Sequence, residues 1–182
     1  MTRYSRQISL PEIGEGGQEK LHKARVLIVG AGGLGSPSAL YLAGAGVGTI
    51  GLADDDTVGI SNLQRQILYT ENEVGQLKVH CAAQRLRALN GNIEVHAHPF
   101  RLNRENARRL IADYDIIVDG CDNFSTRYLI SDSCSALHKP YVYGAIQGFE
   151  GQVSVFCYGD RPRTYRDFFP DETPTLQMPA PD

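Results

Sequence analysis

Three short segments of this chain hold residues whose types and spacing can do chemistry. Residues 30–35 read GAGGLG, residues 54–56 are three aspartates, and residues 61–66 read SNLQRQ. In the first, Gly30 lets the chain reverse sharply, Gly32 and Gly33 let a ligand approach the backbone with no Cβ in the way, and Gly35 lets the next helix pack close. The start of that helix presents unpaired N–H groups and a positive dipole end to an anion or a sugar. Asp54 stands 19 positions beyond Gly35, where a carboxylate accepts both hydroxyls of a ribose. Three adjacent carboxylates repel one another unless cations are near, and Arg65 and Lys78 are the cations available. An acid in this place also repels the extra phosphate of NADP. The glycine turn and Asp54 fit NAD or ATP equally well. Arg65, just beyond the acid, is placed to meet phosphates, which argues for phosphate chemistry over hydride transfer.

Each of these residues has a plainer use. The turn alone would serve a strand-to-helix connection with no ligand, and Asp54, Asp55 and Asp56 would cap a solvated loop. Arg65 and Lys78 would pair at the surface with Glu71 or Glu73, at little gain in stability. Asp122 and Asn123, which follow a strand-like run DIIVD, would cap a helix starting at Phe124.

The elements that must position these groups alternate. Residues 25–30, 49–53, 93–97 and 115–119 are short β-branched or apolar runs that read as strands. Helical spacing is present over residues 34–45, 77–89, 104–111 (opened by Asn103 as N-cap) and 124–137. Residues 140–145 and 152–157 read as further strands. The alternation predicts an α/β fold, a Rossmann-like doubly wound, mostly parallel sheet with helices on both faces. With 182 residues, 42% of them hydrophobic and 21% charged, one domain spanning 1–182 is expected. Within it, residues 1–24 read as an N-terminal arm and residues 162–182 as a flexible, proline-bearing tail. A net charge of −3 argues against a nucleic-acid footprint. No apolar run approaches a membrane span and no signal-peptide pattern opens the chain, so a cytoplasmic protein is expected. Four separated cysteines, with no C-x-x-C pair, are expected to be reduced and mostly buried.

Six motifs in order, RYSRQI (3–8), GAGGLG, LADDD (52–56), SNLQRQ, GQLK (75–78) and CDN (121–123), resemble the ThiF/MoeB/HesA adenylating enzymes, bacterial relatives of ubiquitin-activating enzymes. The resemblance runs from Arg3 to about Pro170. It implies that ATP and magnesium are used to adenylate the C-terminal Gly-Gly carboxylate of a small ubiquitin-fold sulfur-carrier protein, with release of pyrophosphate. The pathway would be thiamine, molybdopterin or related sulfur biosynthesis. It further implies a nucleotide site of Gly32, Gly33, Asp54, Asp56, Ser61, Asn62, Leu63, Gln64, Arg65, Lys78, Asp122 and Asn123. Asp122 would hold magnesium through ATP. Arg6, Arg65, Lys78 and Asp122 would be catalytic, with Arg6 reaching the phosphates of a neighbouring subunit, which implies a homodimer.

The chain departs from that pattern in two places. Where many relatives carry a zinc-binding C-x-x-C, it reads Thr164-Tyr165-Arg166-Asp167, a donor set that cannot make a soft tetrahedral site, so no structural zinc is expected. Where relatives carry a loop cysteine, residues 170–182 have none. The sequence also ends short of its relatives. Two other functions stay open at this stage, an NAD-dependent oxidoreductase and a non-catalytic nucleotide-binding or carrier-docking module.

Overall fold

The computed structural model of the chain describes residues 3–170. Its centre is a six-stranded sheet in the order β3-β2-β1-β4-β5-β6. The strands are β1 (Arg25–Val29), β2 (Thr49–Ala53), β3 (Glu94–His98), β4 (Ile116–Asp119), β5 (Tyr141–Gln147) and β6 (Glu150–Phe156). β1 to β5 run parallel and β6 returns antiparallel to β5. The order reverses beside β1, where β2 lies on one side and β4 on the other, and such a switch point opens a crevice at the carboxyl ends of the strands. The fold is the doubly wound α/β class that the sequence predicts.

β1 shows why two layers of helix are needed. Its residues alternate between two cores: Val26 and Ile28 face one, Leu27 and Val29 the other. The first core is completed by α3 (Gly35–Ala45) and α4 (Lys78–Leu89), through Ala39, Ala43, Val79, Ala82 and Leu86. The second is completed by α5 (Ala107–Ala112) and α6 (Phe124–Leu137), through Leu110, Ile111, Tyr128, Ile130 and Cys134.

Four local details differ from the sequence expectation. The arm contains two helices, α1 (Ser5–Ile8) and α2 (Gly14–Lys23). Its glutamines tie it to the end of α3, since Gln7 Nε2 and Gln18 Nε2 both donate to the Ala45 carbonyl, at 2.8 and 3.1 Å. α5 starts three residues later than expected. Asn103 does act as a cap, but of the preceding turn: its Oδ1 accepts from the N–H of Glu105 and Asn106 at 2.9 and 3.0 Å. β5 and β6 are longer than read, because Gly148 at φ 59° closes a tight hairpin between Gln147 and Glu150. The part of the expected tail within the described residues is packed: a 3-10 turn (Tyr165–Asp167) sends Tyr165, wholly buried, between the rings of Tyr128, Tyr143 and Phe169. Residues 171–182, which include most of the loop expected to lack cysteine, lie outside the described residues.

Candidate nucleotide site

The crevice holds a cavity of about 750 Å³, within the usual range for small-molecule sites. Three strand ends supply its floor. After β1 comes the glycine turn, with Gly30 at φ 91°. A Cβ on Gly35 would stand 1.9 Å from the Gly30 carbonyl oxygen, and one on Gly30 would stand 2.5 Å from that of Gly120, so these glycines are required for α3 and the β4 end to meet the turn. Gly32 and Gly33 line the cavity, and the side chains of Gln66 and Arg65 lie over them, 3.6 and 3.7 Å from where their Cβ atoms would be.

After β2 come the three aspartates, all lining the cavity. Asp54 is fixed by backbone donors, with Oδ2 accepting from Ala31 N–H at 2.7 Å and Oδ1 from Asp56 N–H at 2.8 Å. Each oxygen keeps a second lone pair for a ligand hydroxyl. The three carboxylates approach within 4.8 Å of one another. Cations offset the repulsion: Lys78 Nζ reaches Asp56 Oδ2 at 3.0 Å, and Arg101 Nε lies 3.5 Å from Asp55 Oδ1. Lys78 is the first residue of α4 and its side chain is buried while Asp56 is exposed, so the pair aims at the cavity and is no surface decoration.

Residues 58–76 form an excursion pinched at its base by a Thr57–Leu77 bridge and by Lys78 N–H donating to the Asp56 carbonyl at 3.0 Å. Tyr69, buried, clips it to the glycine turn through its hydroxyl and the Ala31 carbonyl at 2.8 Å. Within the excursion SNLQRQ divides by role. Arg65 and Gln66 line the cavity, whereas Ser61, Asn62, Leu63 and Gln64 do not. The Ser61 carbonyl accepts from Arg65 Nη1 at 3.2 Å and Asn62 Oδ1 from Gly59 N–H at 3.1 Å, so both shape the turn that presents Arg65. Leu63 packs against the first core. Arg6, exposed on α1, does not line the cavity of its own chain.

After β4 come Cys121, Asp122 and Asn123, all on the cavity. Asn123 caps α6, accepting from Thr126 N–H at 3.0 Å. Asp122 is exposed, is in no ion pair among the described residues, and has only the Asn123 amide, at 3.5 Å. Asn123 therefore does the capping, and the Asp122 carboxylate takes no part in it. Cys121 is held in its thiol form. Burial, with Asp119 beside it, pushes its thiol up, and the thiolate is the reactive form. Of the four free cysteines, Cys81 and Cys134 are buried and Cys121 and Cys157 half-buried.

Several cavity residues escaped the sequence reading. Leu102, Gln66, Phe124, Arg127, Tyr143 and Tyr165 all line it. The two aromatic hairpin-side residues and Arg127 carry no local motif and are assembled by the sheet. Gln66 is buried with an unpartnered Oε1, and adjacency to Arg65 was the one available signal.

Known proteins with similar sequences were found over nearly the whole chain. Residues 4–181 match the ThiF family. The chain is 52% identical to a probable molybdopterin-synthase adenylyltransferase of Porphyra purpurea, over 92% of this chain and 44% of that protein. It is 47% identical to a sulfur carrier protein adenylyltransferase of Thermus thermophilus, over 99% of this chain and 68% of that protein. Among solved structures, PaaA superposes with a TM-score of 0.79 at 28% identity, covering 91% of this chain and 53% of that one. E. coli MccB with ATP gives 0.71 at 30% identity, covering 79% and 44%. The chain thus spans only part of the length of each protein named here. Glycine turns followed by an acidic strand end occur on many nucleotide folds, but agreement sustained from residue 4 to residue 181 is specific, and the chain belongs to the ThiF family.

Proposed function

We propose that the chain is an ATP-dependent adenylyltransferase that activates the C-terminal Gly-Gly carboxylate of a small ubiquitin-fold sulfur-carrier protein. The observation that carries this reading is the placing of Arg65 and Lys78 in one cavity with Asp54 and the glycine turn. A dinucleotide site needs the turn and the acid; only a polyphosphate needs two cations beside them. The names of the Porphyra and Thermus relatives support the same reaction.

In this reading Asp54 holds the ribose, and Gly32 and Gly33 let the nucleotide lie against the backbone. One carboxylate oxygen of the carrier's terminal glycine attacks the α-phosphorus. The bond from that phosphorus to its bridging oxygen breaks, and pyrophosphate leaves with the electron pair. Arg65 and Lys78 balance the charge that accumulates on the leaving group, so catalysis is mainly positioning and electrostatics. Magnesium fits Asp122, a hard oxygen donor without a cation partner. When bound it would neutralise phosphate charge. The aspartates at 54–56 need it less, since Lys78, Arg101 and backbone N–H groups already compensate them.

We further infer a homodimer in which Arg6 completes the partner's site, because Arg6 is exposed and outside its own cavity. A cytoplasmic location accords with four free thiols and with the absence, among the described residues, of a helix long and apolar enough to cross a membrane. The pathway is molybdopterin, thiamine or a related sulfur route. Exchange of labelled pyrophosphate into ATP tests the reaction: it is expected only when a carrier with an intact terminal glycine is added. ATP binding without exchange, across carriers of both pathways, would favour a non-catalytic docking module.

A further inference from the structure

One charged cluster beside the cleft has no part in the reaction as described. Arg127 on α6 is 8% exposed, lines the cavity, and lies with its guanidinium 5.5 Å from the ring centres of both Phe124 and Tyr143. Its Nε is 3.7 Å from Asp119 Oδ2 and has no hydrogen-bond partner among the described residues, while its Nη2 donates to the Cys121 carbonyl at 3.2 Å. Asp119 ends β4 with its side chain wholly buried. One of its oxygens accepts from Cys121 N–H at 2.9 Å and the other from the Tyr141 hydroxyl at 2.7 Å. The two members of the ion pair therefore hold the two peptide groups of Cys121, the acid taking the N–H and the guanidinium the C=O. The next residue is Asp122, whose own side chain has almost nothing to hold it.

A buried ion pair is a poor device for stability alone, because removing two ions from water costs about as much as their attraction returns. This one is imperfect in geometry and faces the cavity. Two of its three hydrogen bonds converge on one turn, and that turn also abuts the glycine turn at Gly30. An acid meant to meet a metal-bound phosphate must be held in place before the ligand arrives.

We infer that Arg127 is a positioning residue: with Asp119 it fixes the turn at residues 120–123 so that the Asp122 carboxylate meets the metal on the nucleotide. This rests on the reading of Asp122 as the magnesium-facing acid of an ATP site. The test is calorimetric titration of the whole chain with ATP in EDTA and with ATP over a range of Mg²⁺, with thermal unfolding followed in parallel. In Arg127→Met, ATP affinity in EDTA stays within about twofold of the parent, while the Mg²⁺ concentration for half-saturation rises about tenfold, the scale of outer-shell losses. Asp122→Asn shows the same shift, and the double variant is no weaker than Asp122→Asn alone, because both act through one carboxylate. Arg127→Lys, which keeps the charge but loses the fork, restores only part of the Mg²⁺ response, and it decides by the same comparison if Arg127→Met does not fold. Equal losses with and without Mg²⁺, additive losses in the double variant, or an unshifted Mg²⁺ response would each overturn the assignment of Arg127 alone. A parent protein that binds no ATP would overturn the adenylyltransferase reading and this inference with it.

Discussion

In the proposed reaction, Lys78 is the residue on which the chemistry depends most directly. Its ammonium is buried at the start of α4 and is held 3.0 Å from Asp56. A desolvated lysine with a single acidic partner keeps much of its field for a phosphate arriving in the same cavity. Replacing Lys78 by Ala is expected to lower kcat for pyrophosphate exchange by about 100-fold or more, with a much smaller effect on adenosine binding. Equilibrium binding of adenosine beside exchange kinetics would separate the two. Arg65→Ala should act in the same direction, since Arg65 lies on Gly33 with no ion pair among the described residues. An NAD enzyme would scarcely respond to either change. Arg65 and Lys78 stood out in the sequence as the cations near three adjacent aspartates, whereas Asp122 entered only through the family motif, its plain reading being a helix cap. Ser61 and Asn62 were legible only as members of a motif, and the fold shows them shaping the turn that carries Arg65.

At the scale of elements, the strand ends and their connections set the site and also a pH dependence of the fold's stability. β3 ends at His98, whose Nε2 lies 2.9 Å from the Tyr114 hydroxyl and whose ring packs on Phe100. Burial, and then His96 nearby, push the His98 imidazole below its ordinary value of 6.5, against the weaker pull of Asp113. The unfolded chain therefore binds this proton more readily than the folded one. Stability rises with pH through the interval from the depressed folded value up to about 6.5, and falls as the pH drops through it. Tm measured across that interval should fall more steeply on acidification in the parent than in His98→Gln, and parallel curves would contradict the assignment. The turn at Thr164–Asp167, where the sequence reading expects no zinc, is tied together by side chains. Asp167 Oδ2 accepts from Thr164 N–H and Oγ1, at 2.6 and 3.0 Å, and Arg166 makes a bidentate pair with Asp132 at 2.8 Å. Asp167→Ala should lower Tm by a few degrees, and a chelator such as EDTA should leave the parent's Tm unchanged.

For the whole molecule, the open question is what completes the site. Arg6 stands outside its own cavity, and the trans arrangement predicts a specific complementation. A mixed dimer of Arg6→Ala and Arg65→Ala subunits contains one site with both arginines intact and one with neither. Mixing two inactive homodimers, with subunit exchange, should therefore recover about half of the parent activity per mixed dimer, or about a quarter over an equimolar, fully exchanged sample. Recovery of none, with ATP still bound by both variants, would exclude the trans arrangement.

The sequence by itself determined the class of the fold and the polarity of its crevice. Alternating β-branched runs and helical spacings leave a parallel sheet as the economical way to bury both faces of β1. Gly30, Gly35 and the aspartates mark the strand ends that line the crevice of the proposed nucleotide site, because both signals are local in the chain. Tertiary structure alone decided the rest. Lys78 meets Asp56 across 22 positions, and Tyr141 meets Asp119 across the same span. Arg127 acquires its place from β4, α6 and β5 together. Such contacts follow from which strands lie side by side, and no local spacing encodes that. The lone polar residue on an amphipathic helix looks the same in sequence whether it faces water or a cleft, and only the packed sheet distinguishes the two.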